Sequence, residues 1–138
     1  MKQKNTIVDI PKTMEKFFGC SGKMVKPGLD AVIFAVKKIP KGNLITMSIL
    51  CEKLAKKFKA NVACPATTGK SLYEAASASV DKREAVPFWR VIKTNGELNN
   101  KFPGGVEKQA SLLRREGFDI VAFGKTCKVK NFESYLLR

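Results

Sequence analysis

The four cysteines of this sequence are its candidate nucleophiles, and the chain contains no histidine to activate them. Histidine is the usual base beside a thiol or hydroxyl nucleophile, and it is also the commonest metal ligand. A nucleophilic catalytic site and a metal site in this chain would therefore both lack their most common component. No two cysteines form the Cys-x-x-Cys pair typical of zinc ribbons. We therefore expect no metal and no cofactor, and we interpret the cysteines as free thiols: Cys20, Cys51, Cys64 and Cys127.

The net charge of +14 is concentrated in one part of the chain. Residues 11–59 carry eleven lysines against three acidic residues, a net charge of +8. This excess favours a polyanionic partner such as DNA, RNA or an acidic membrane, and it contributes affinity more than selectivity. No apolar run approaches the ~20 residues that span a bilayer, and Asp9 interrupts any signal-peptide core. The sequence predicts a monomeric cytoplasmic protein with no membrane contact, nucleoid-associated if prokaryotic.

Apolar spacing predicts a mostly helical α/β chain that folds as a single domain over residues 1–138. Thr46 is a suitable N-cap, because its hydroxyl can accept a hydrogen bond from the first turn of the next helix. Two closely spaced helices followed by a polar, Gly-rich segment indicate a winged helix-turn-helix. The predicted helices are 11–19, 28–38, 47–59, 67–80 and 106–116, with a strand at 44–45, a hairpin of 118–123 and 126–130, and a last helical turn within 131–137.

The helix predicted over 67–80 has an unusual second half, Ala-Ala-Ser-Ala-Ser at residues 75–79. Small side chains allow another surface to approach the helix backbone, and that surface could be a second helix or a DNA groove. Thr67 or Thr68 is the expected N-cap. Near this helix start, Lys70 and the backbone N–H groups of Thr68 and Gly69 could contact a phosphate.

A set of motifs later in the chain resembles the DNA-binding domain of the alkylguanine-DNA alkyltransferases. The motifs are Val-Pro-Phe-Trp-Arg-Val-Ile at 86–92, Gly-Gly at 104–105 and Leu-Leu-Arg-Arg-Glu-Gly at 112–117. Upstream, Ile-Pro-Lys-Gly at 39–42 and Leu-Ala at 54–55 follow the same order. The resemblance covers residues 28–118 and implies a winged-helix core with small N- and C-terminal extensions.

The chain departs from that family at the reactive centre. The family's acceptor cysteine falls on Phe88 and its histidine on Trp89, so that only the acid, Glu116, remains. Neither a phenyl ring nor an indole can act as nucleophile or general base. The resemblance therefore implies a degenerate site without catalytic residues, similar to the alkyltransferase-like proteins, which bind alkylated DNA without repairing it.

Two other functions remain open. Cys64 precedes a helix N-terminus, where a thiolate is stabilised, so it could be a displaced alkyl acceptor in a thiol-dependent alkyltransferase. A plain loop cysteine is the favoured interpretation, because no histidine activates it. The chain could also be a general DNA- or RNA-binding module.

The resemblance also implies a set of site residues, a double-stranded DNA partner bound through its minor groove, and a possible DNA-repair protein partner. Tyr73 could be a stacking wedge or a core residue. Phe88 could stack on a base or fill the old active site. Arg90 is favoured as a member of a structural ion pair, with Glu116 or with another acid. The implied lesion pocket consists of Met47, Phe88, Trp89 and Phe102. The implied DNA contacts are Thr68, Gly69, Lys70, Tyr73, Ala75, Ala76, Arg90, Asn95 and Lys101.

Overall fold

The computed structural model describes residues 5–80, 86–124 and 126–137 of the chain. Within these ranges the chain forms five α-helices, seven short strands and two 3₁₀ segments, Phe88–Arg90 and Phe132–Tyr135. The helices are α1 Lys12–Phe18, α2 Leu29–Lys37, α3 Met47–Lys57, α4 Pro65–Val80 and α5 Gly105–Arg115. The strands are β1 Thr6–Asp9, β2 Lys23–Lys26, β3 Ile45–Thr46, β4 Val62–Ala63, β5 Val91–Ile92, β6 Ile120–Phe123 and β7 Thr126–Val129.

The strands form three small sheets rather than one. Strand β2 pairs antiparallel with β1 and parallel with β4, β3 pairs parallel with β5, and β6 and β7 form an antiparallel hairpin. The predicted mixed α/β architecture and the hairpin are confirmed. The β1–β2 pair was not predicted.

The N-terminus of α3 agrees with its prediction, whereas that of α4 does not. The Thr46 side chain accepts a hydrogen bond from the Ile49 amide at 3.2 Å, so it is the N-cap of α3. Helix α4 begins at Pro65, two residues before the predicted start. Proline suits the first helical position because its missing N–H would have no partner there, and the predicted cap at Thr67 or Thr68 is therefore wrong.

The main core lies where α2, α3 and α4 pack against one another. Ala75 and Ala76 of α4 are fully buried in this core, and α4 packs closely against α2. The small residues therefore serve helix packing, and the predicted contact of the Ala75 and Ala76 side chains with DNA is wrong, because neither reaches the surface. A second core joins α5, through Leu113, to Val129 of the hairpin.

The C-terminal segment is attached by backbone hydrogen bonds to Leu44, the residue just before β3. The Leu44 amide donates to the Tyr135 carbonyl at 2.9 Å, and the Leu137 amide donates to the Leu44 carbonyl at 2.9 Å. This places Leu137 against the main core. In the described part of the chain, no helix has the length and apolar character needed to cross a membrane.

Candidate nucleic-acid interface

An open cleft of about 750 Å³ lies between the start of α3, the first half of α4 and the loop over residues 93–102. Among the described residues, three lysines and no acidic residue line it, so this lining is electropositive. A half-exposed tyrosine and two buried or half-buried apolar side chains complete its walls. The lining residues are Met47, Pro65, Ala66, Gly69, Lys70, Tyr73, Lys93, Asn99, Asn100, Lys101 and Phe102.

Helix α4 presents one face to the cleft and the opposite face to the core. Pro65, Gly69 and Tyr73 recur every four residues, so they lie along one side of the helix, and all three line the cleft. Ser71, two residues from both Gly69 and Tyr73 along the helix, is buried on the other side. Tyr73 is 48% exposed, which excludes the alternative that it is a core residue.

The predicted phosphate site at the backbone of residues 68 and 69 is not present in that form. Because α4 starts at Pro65, the Thr68 amide already donates to the Cys64 carbonyl at 3.0 Å within the helix. The Thr68 side chain is fully buried and is not available to a ligand. Gly69 and the exposed Lys70 do line the cleft, so this surface is formed by side chains and the bare backbone at Gly69 rather than by free N–H groups.

The loop over residues 93–102 is held by hydrogen bonds from buried Gln109 of α5. Its Oε1 accepts from the Asn99 amide at 2.7 Å, and its Nε2 donates to the carbonyls of Trp89 and Val91 at 3.1 Å each. Gln109 is completely buried, and no role was predicted for it from the sequence. Its burial could have been predicted from its position, because Gln109 comes one residue before Ala110 and four before Leu113, on the core-facing side of α5. A buried side-chain amide needs hydrogen-bond partners, so a structural role follows from that position.

Close packing and capping bonds fix the rest of this loop. Gly96 has a φ of +90°, and a Cβ at this position would collide with the Phe132 ring. Asn95 is exposed, and its Oδ1 accepts from the Glu97 amide at 3.1 Å. Lys101 is exposed and lines the cleft, whereas Asn95 does not. The Thr94 hydroxyl is 2.8 Å from a hydroxyl of α3, that of Ser48, so the loop is connected directly to that helix.

The predicted lesion pocket is only partly formed by the predicted residues. Met47 and Phe102 line the cleft, but Phe88 and Trp89 do not. The Phe88 side chain is 2% exposed, and its ring meets those of Trp89 and Phe102 edge-on, with centroids 5.4 and 5.1 Å apart. Phe88 therefore fills the core behind Phe102, as the space-filling interpretation predicted, and its predicted place in an open pocket is wrong.

Arg90 and Glu116 form a bidentate ion pair, as the favoured interpretation predicted. Arg90 Nε donates to Oε1 at 3.0 Å, and Nη2 donates to Oε2 at 2.6 Å. The third nitrogen, Nη1, donates to the Ile39 carbonyl at 2.6 Å. The two side chains are only 14% and 9% exposed. With its guanidinium committed to these acceptors, Arg90 holds the 3₁₀ turn to α5 and to the end of α2, and its predicted DNA contact is wrong.

This contact makes the stability of the fold depend on pH. Burial raises the pKa of Glu116, but the hydrogen bonds and charge of Arg90 outweigh it and hold the pKa below its ordinary 4.5. The ionised carboxylate therefore stabilises the fold above that value, and the contribution is lost as the pH falls through the folded pKa. We expect the difference in free energy of unfolding between the chain and Glu116→Gln to shrink below about pH 4.5. Urea unfolding of both proteins between about pH 7 and about pH 3 measures this difference. A difference that does not change with pH would contradict the stabilising role of the ionised Glu116 carboxylate.

All four cysteines are free, and none lines the cleft. Cys64 is 8% exposed and lies just before α4. Although burial raises its pKa, hydrogen bonds from Thr67 and Ala66 and the charge of Lys26 lower the pKa overall. Burial raises the pKa of Cys51. In the described ranges, no three Cys, Asp or Glu side chains cluster as metal ligands would.

Solved structures with the same fold include complexes with DNA. A structure of S. pombe Atl1 in complex with damaged DNA containing O6-carboxymethylguanine superposes with a TM-score of 0.61 at 20% identity, over 80% of this chain and 94% of that chain. A structure of S. pombe ATL in complex with DNA gives 0.59 at 22% identity, with the same coverage. At these identities the likeness establishes the fold. No curated protein matches in sequence.

The family is established by the sequence match itself, which extends over 29–118 and so covers more than half of the chain. The matched range contains the cleft, the Arg90–Glu116 ion pair and the Gln109 network. The resemblance inferred from the Phe-Trp-Arg and Leu-Leu-Arg-Arg-Glu-Gly motifs is thus confirmed. The chain belongs to the family of the 6-O-methylguanine DNA methyltransferase DNA-binding domain.

Proposed function

We propose that this chain binds duplex DNA without reacting with it, and that it holds an alkylated base in the cleft beside α4. The observation that carries the proposal is the cleft itself, whose described lining contains Lys70, Lys93, Lys101 and the half-exposed Tyr73 but no acidic residue. Lysines on a concave surface attract phosphates, and an exposed aromatic ring can replace the stacking partner that a rotated base loses.

The shape of the cleft suits a base that has left the helical stack. A volume of about 750 Å³ accommodates a nucleotide, and Met47 and Phe102 give it apolar walls against which a planar base can lie. The exposed face of α4 carries a bare backbone at Gly69, so a narrow minor groove can approach it closely. The Atl1 structure with damaged DNA supports this arrangement, because the same fold binds DNA there.

The residues around the old reactive centre support a non-catalytic role. Where the family has its acceptor cysteine, this chain has Phe88, which is buried in the core behind Phe102. Trp89 stands in place of the histidine. The thiol-dependent alternative rests on the lowered pKa of Cys64, but that thiol lies outside the cleft lining.

Titration of two matched duplexes, one carrying a single O6-methylguanine, tests the lesion part of the proposal. We expect at least tenfold tighter binding to the alkylated duplex, a difference of about 1.4 kcal/mol, because the cleft receives the modified base. Fluorescence anisotropy at several salt concentrations measures both affinities. The logarithm of the affinity should fall with the logarithm of salt by about 0.9 per phosphate contacted.

Three other outcomes of that titration would each contradict a part of the proposal. Equal affinities for the two duplexes would remove the lesion proposal and leave a general DNA-binding module. Tighter binding to an RNA duplex of the same sequence would favour the RNA alternative. An affinity that does not change with salt would contradict the role assigned to the lysines.

A further inference from the structure

A second basic cavity lies between α2 and α3, away from the cleft. It has a volume of about 420 Å³, and four of its nine lining side chains are lysines, with no acidic residue among them: Lys38, Lys53, Lys56 and Lys57. Met47 at the start of α3 belongs to the cleft, whereas these lysines lie beside the opposite end of that helix. Eleven residues of α-helix span about 16 Å, so the two sites are a helix length apart.

The floor of this cavity is apolar. Ile39 and Leu54 are almost completely buried beneath it, and Leu137 of the C-terminal segment forms a wall. Phe34 of α2 is 50% exposed at the rim. A concave apolar floor of this size accommodates one or two aliphatic or aromatic side chains, and an unfilled apolar recess inside a charged rim is typical of protein-docking sites.

Two of the lysines are placed over a single aromatic ring. Lys57 Nζ lies 3.9 Å and Lys38 Nζ 4.2 Å from the centroid of the Phe34 ring. The two ammonium groups are therefore at most about 8 Å apart, so a carboxylate that approaches one of them is also attracted by the other. The two groups repel each other, and a nearby carboxylate offsets that repulsion.

From this arrangement we propose that the α2–α3 cavity docks an acidic peptide segment of a partner protein. An apolar side chain of the segment enters the floor formed by Ile39, Leu54 and Leu137, and flanking carboxylates pair with Lys38, Lys57 and the other two lysines. A peptide satisfies both features, because it carries acids and apolar side chains on one short segment. A sugar-phosphate backbone satisfies only the charge, because it offers no apolar side chain to the floor of the cavity.

Three synthetic peptides of about a dozen residues test the proposal. The first is acidic with a central Leu-Phe pair, the second has the same acids with serines in place of that pair, and the third keeps the pair but has Gln in place of the acids. Anisotropy titration at about 0.1 M salt should show the first binding at least tenfold more tightly than either of the others. The assay contains no DNA, so it remains readable if the proposed DNA binding fails.

Variants of exposed lysines assign the binding to this cavity. Lys38→Gln combined with Lys57→Gln should weaken binding of the first peptide at least tenfold, since both ammonium groups are lost. Lys12→Gln combined with Lys16→Gln removes the same charge from α1 and serves as the matched control, for which we expect no more than a twofold change. Both pairs are on the exposed surface, so folding is preserved.

Three results would overturn the proposal. Equal binding of the first and second peptides would mean that the surface attracts any polyanion. Displacement of the first peptide by single-stranded oligothymidylate at matched charge would identify the cavity as a nucleic-acid surface. Equal losses from the α1 pair and from the α2–α3 pair would mean that net charge, rather than this cavity, controls the binding.

Discussion

Replacing Arg90 by alanine is expected to lower the free energy of unfolding by about 3–5 kcal/mol. The change leaves the Glu116 carboxylate, which is 9% exposed, without its bidentate partner, and it removes the donor to the Ile39 carbonyl. An uncompensated buried charge is much more costly than the net contribution of the pair itself. Urea unfolding followed by circular dichroism gives the value directly.

The double variant Arg90→Met with Glu116→Leu separates the buried charge from the other contacts of Arg90. Replacing both partners by apolar residues of similar size removes the charge penalty, so we expect it to recover most of the loss. A deficit of about 1–3 kcal/mol should remain, because the Ile39 carbonyl still lacks its donor. The folded double variant should bind duplex DNA as the parent chain does. A loss below about 1 kcal/mol for Arg90→Ala would instead indicate a surface-like pair.

Substitution of Gly69 by phenylalanine is expected to weaken duplex binding at least tenfold, or about 1.4 kcal/mol. A Cβ at Gly69 meets no atom within 4 Å, so a larger side chain enters the open space of the cleft without disturbing the core. It would occupy the volume assigned to the base and hold the groove away from the backbone of α4. Anisotropy titration with a plain duplex and with an O6-methylguanine duplex measures the effect.

Gly69→Ala is the matched control for that substitution. Glycine within a helix is less favourable than alanine by about 1 kcal/mol, so the alanine variant should be more stable than the parent chain. Its single methyl group should cost far less DNA affinity than the phenyl ring. If Gly69→Phe folds and still binds both duplexes like the parent chain, α4 does not form the DNA surface.

Local patterns in the sequence predicted the helices and several of their ends. The spacing of apolar residues placed α2, α3 and α5 within a few residues of their observed bounds, since each helix buries one regular face. Thr46 was identified as an N-cap because capping depends on neighbouring residues alone. A structural ion pair of Arg90 with Glu116 or another acid was the favoured interpretation, and the structure shows that Glu116 is the partner.

Features that depend on contacts between distant segments were missed or left open between two alternatives. Strands β1 and β2 are four residues each and are defined by pairing with each other and with β4, so neither has a distinctive pattern of its own. The burial of Ala75 and Ala76 depends on how closely α2 approaches α4. Likewise, the resemblance located Phe88 near the old reactive centre, but the packing of Phe102 over it decides that it fills the core.

A native mass spectrum of the chain mixed with an O6-methylguanine duplex shows whether the chain binds DNA without reacting with it. We expect a complex with the combined mass of one chain and one duplex, and, after denaturation, a chain of unchanged mass. No complex at low salt would contradict the proposed DNA binding. A chain that has gained the mass of the methyl group would show transfer to a residue such as Cys64, and the non-catalytic account would be wrong.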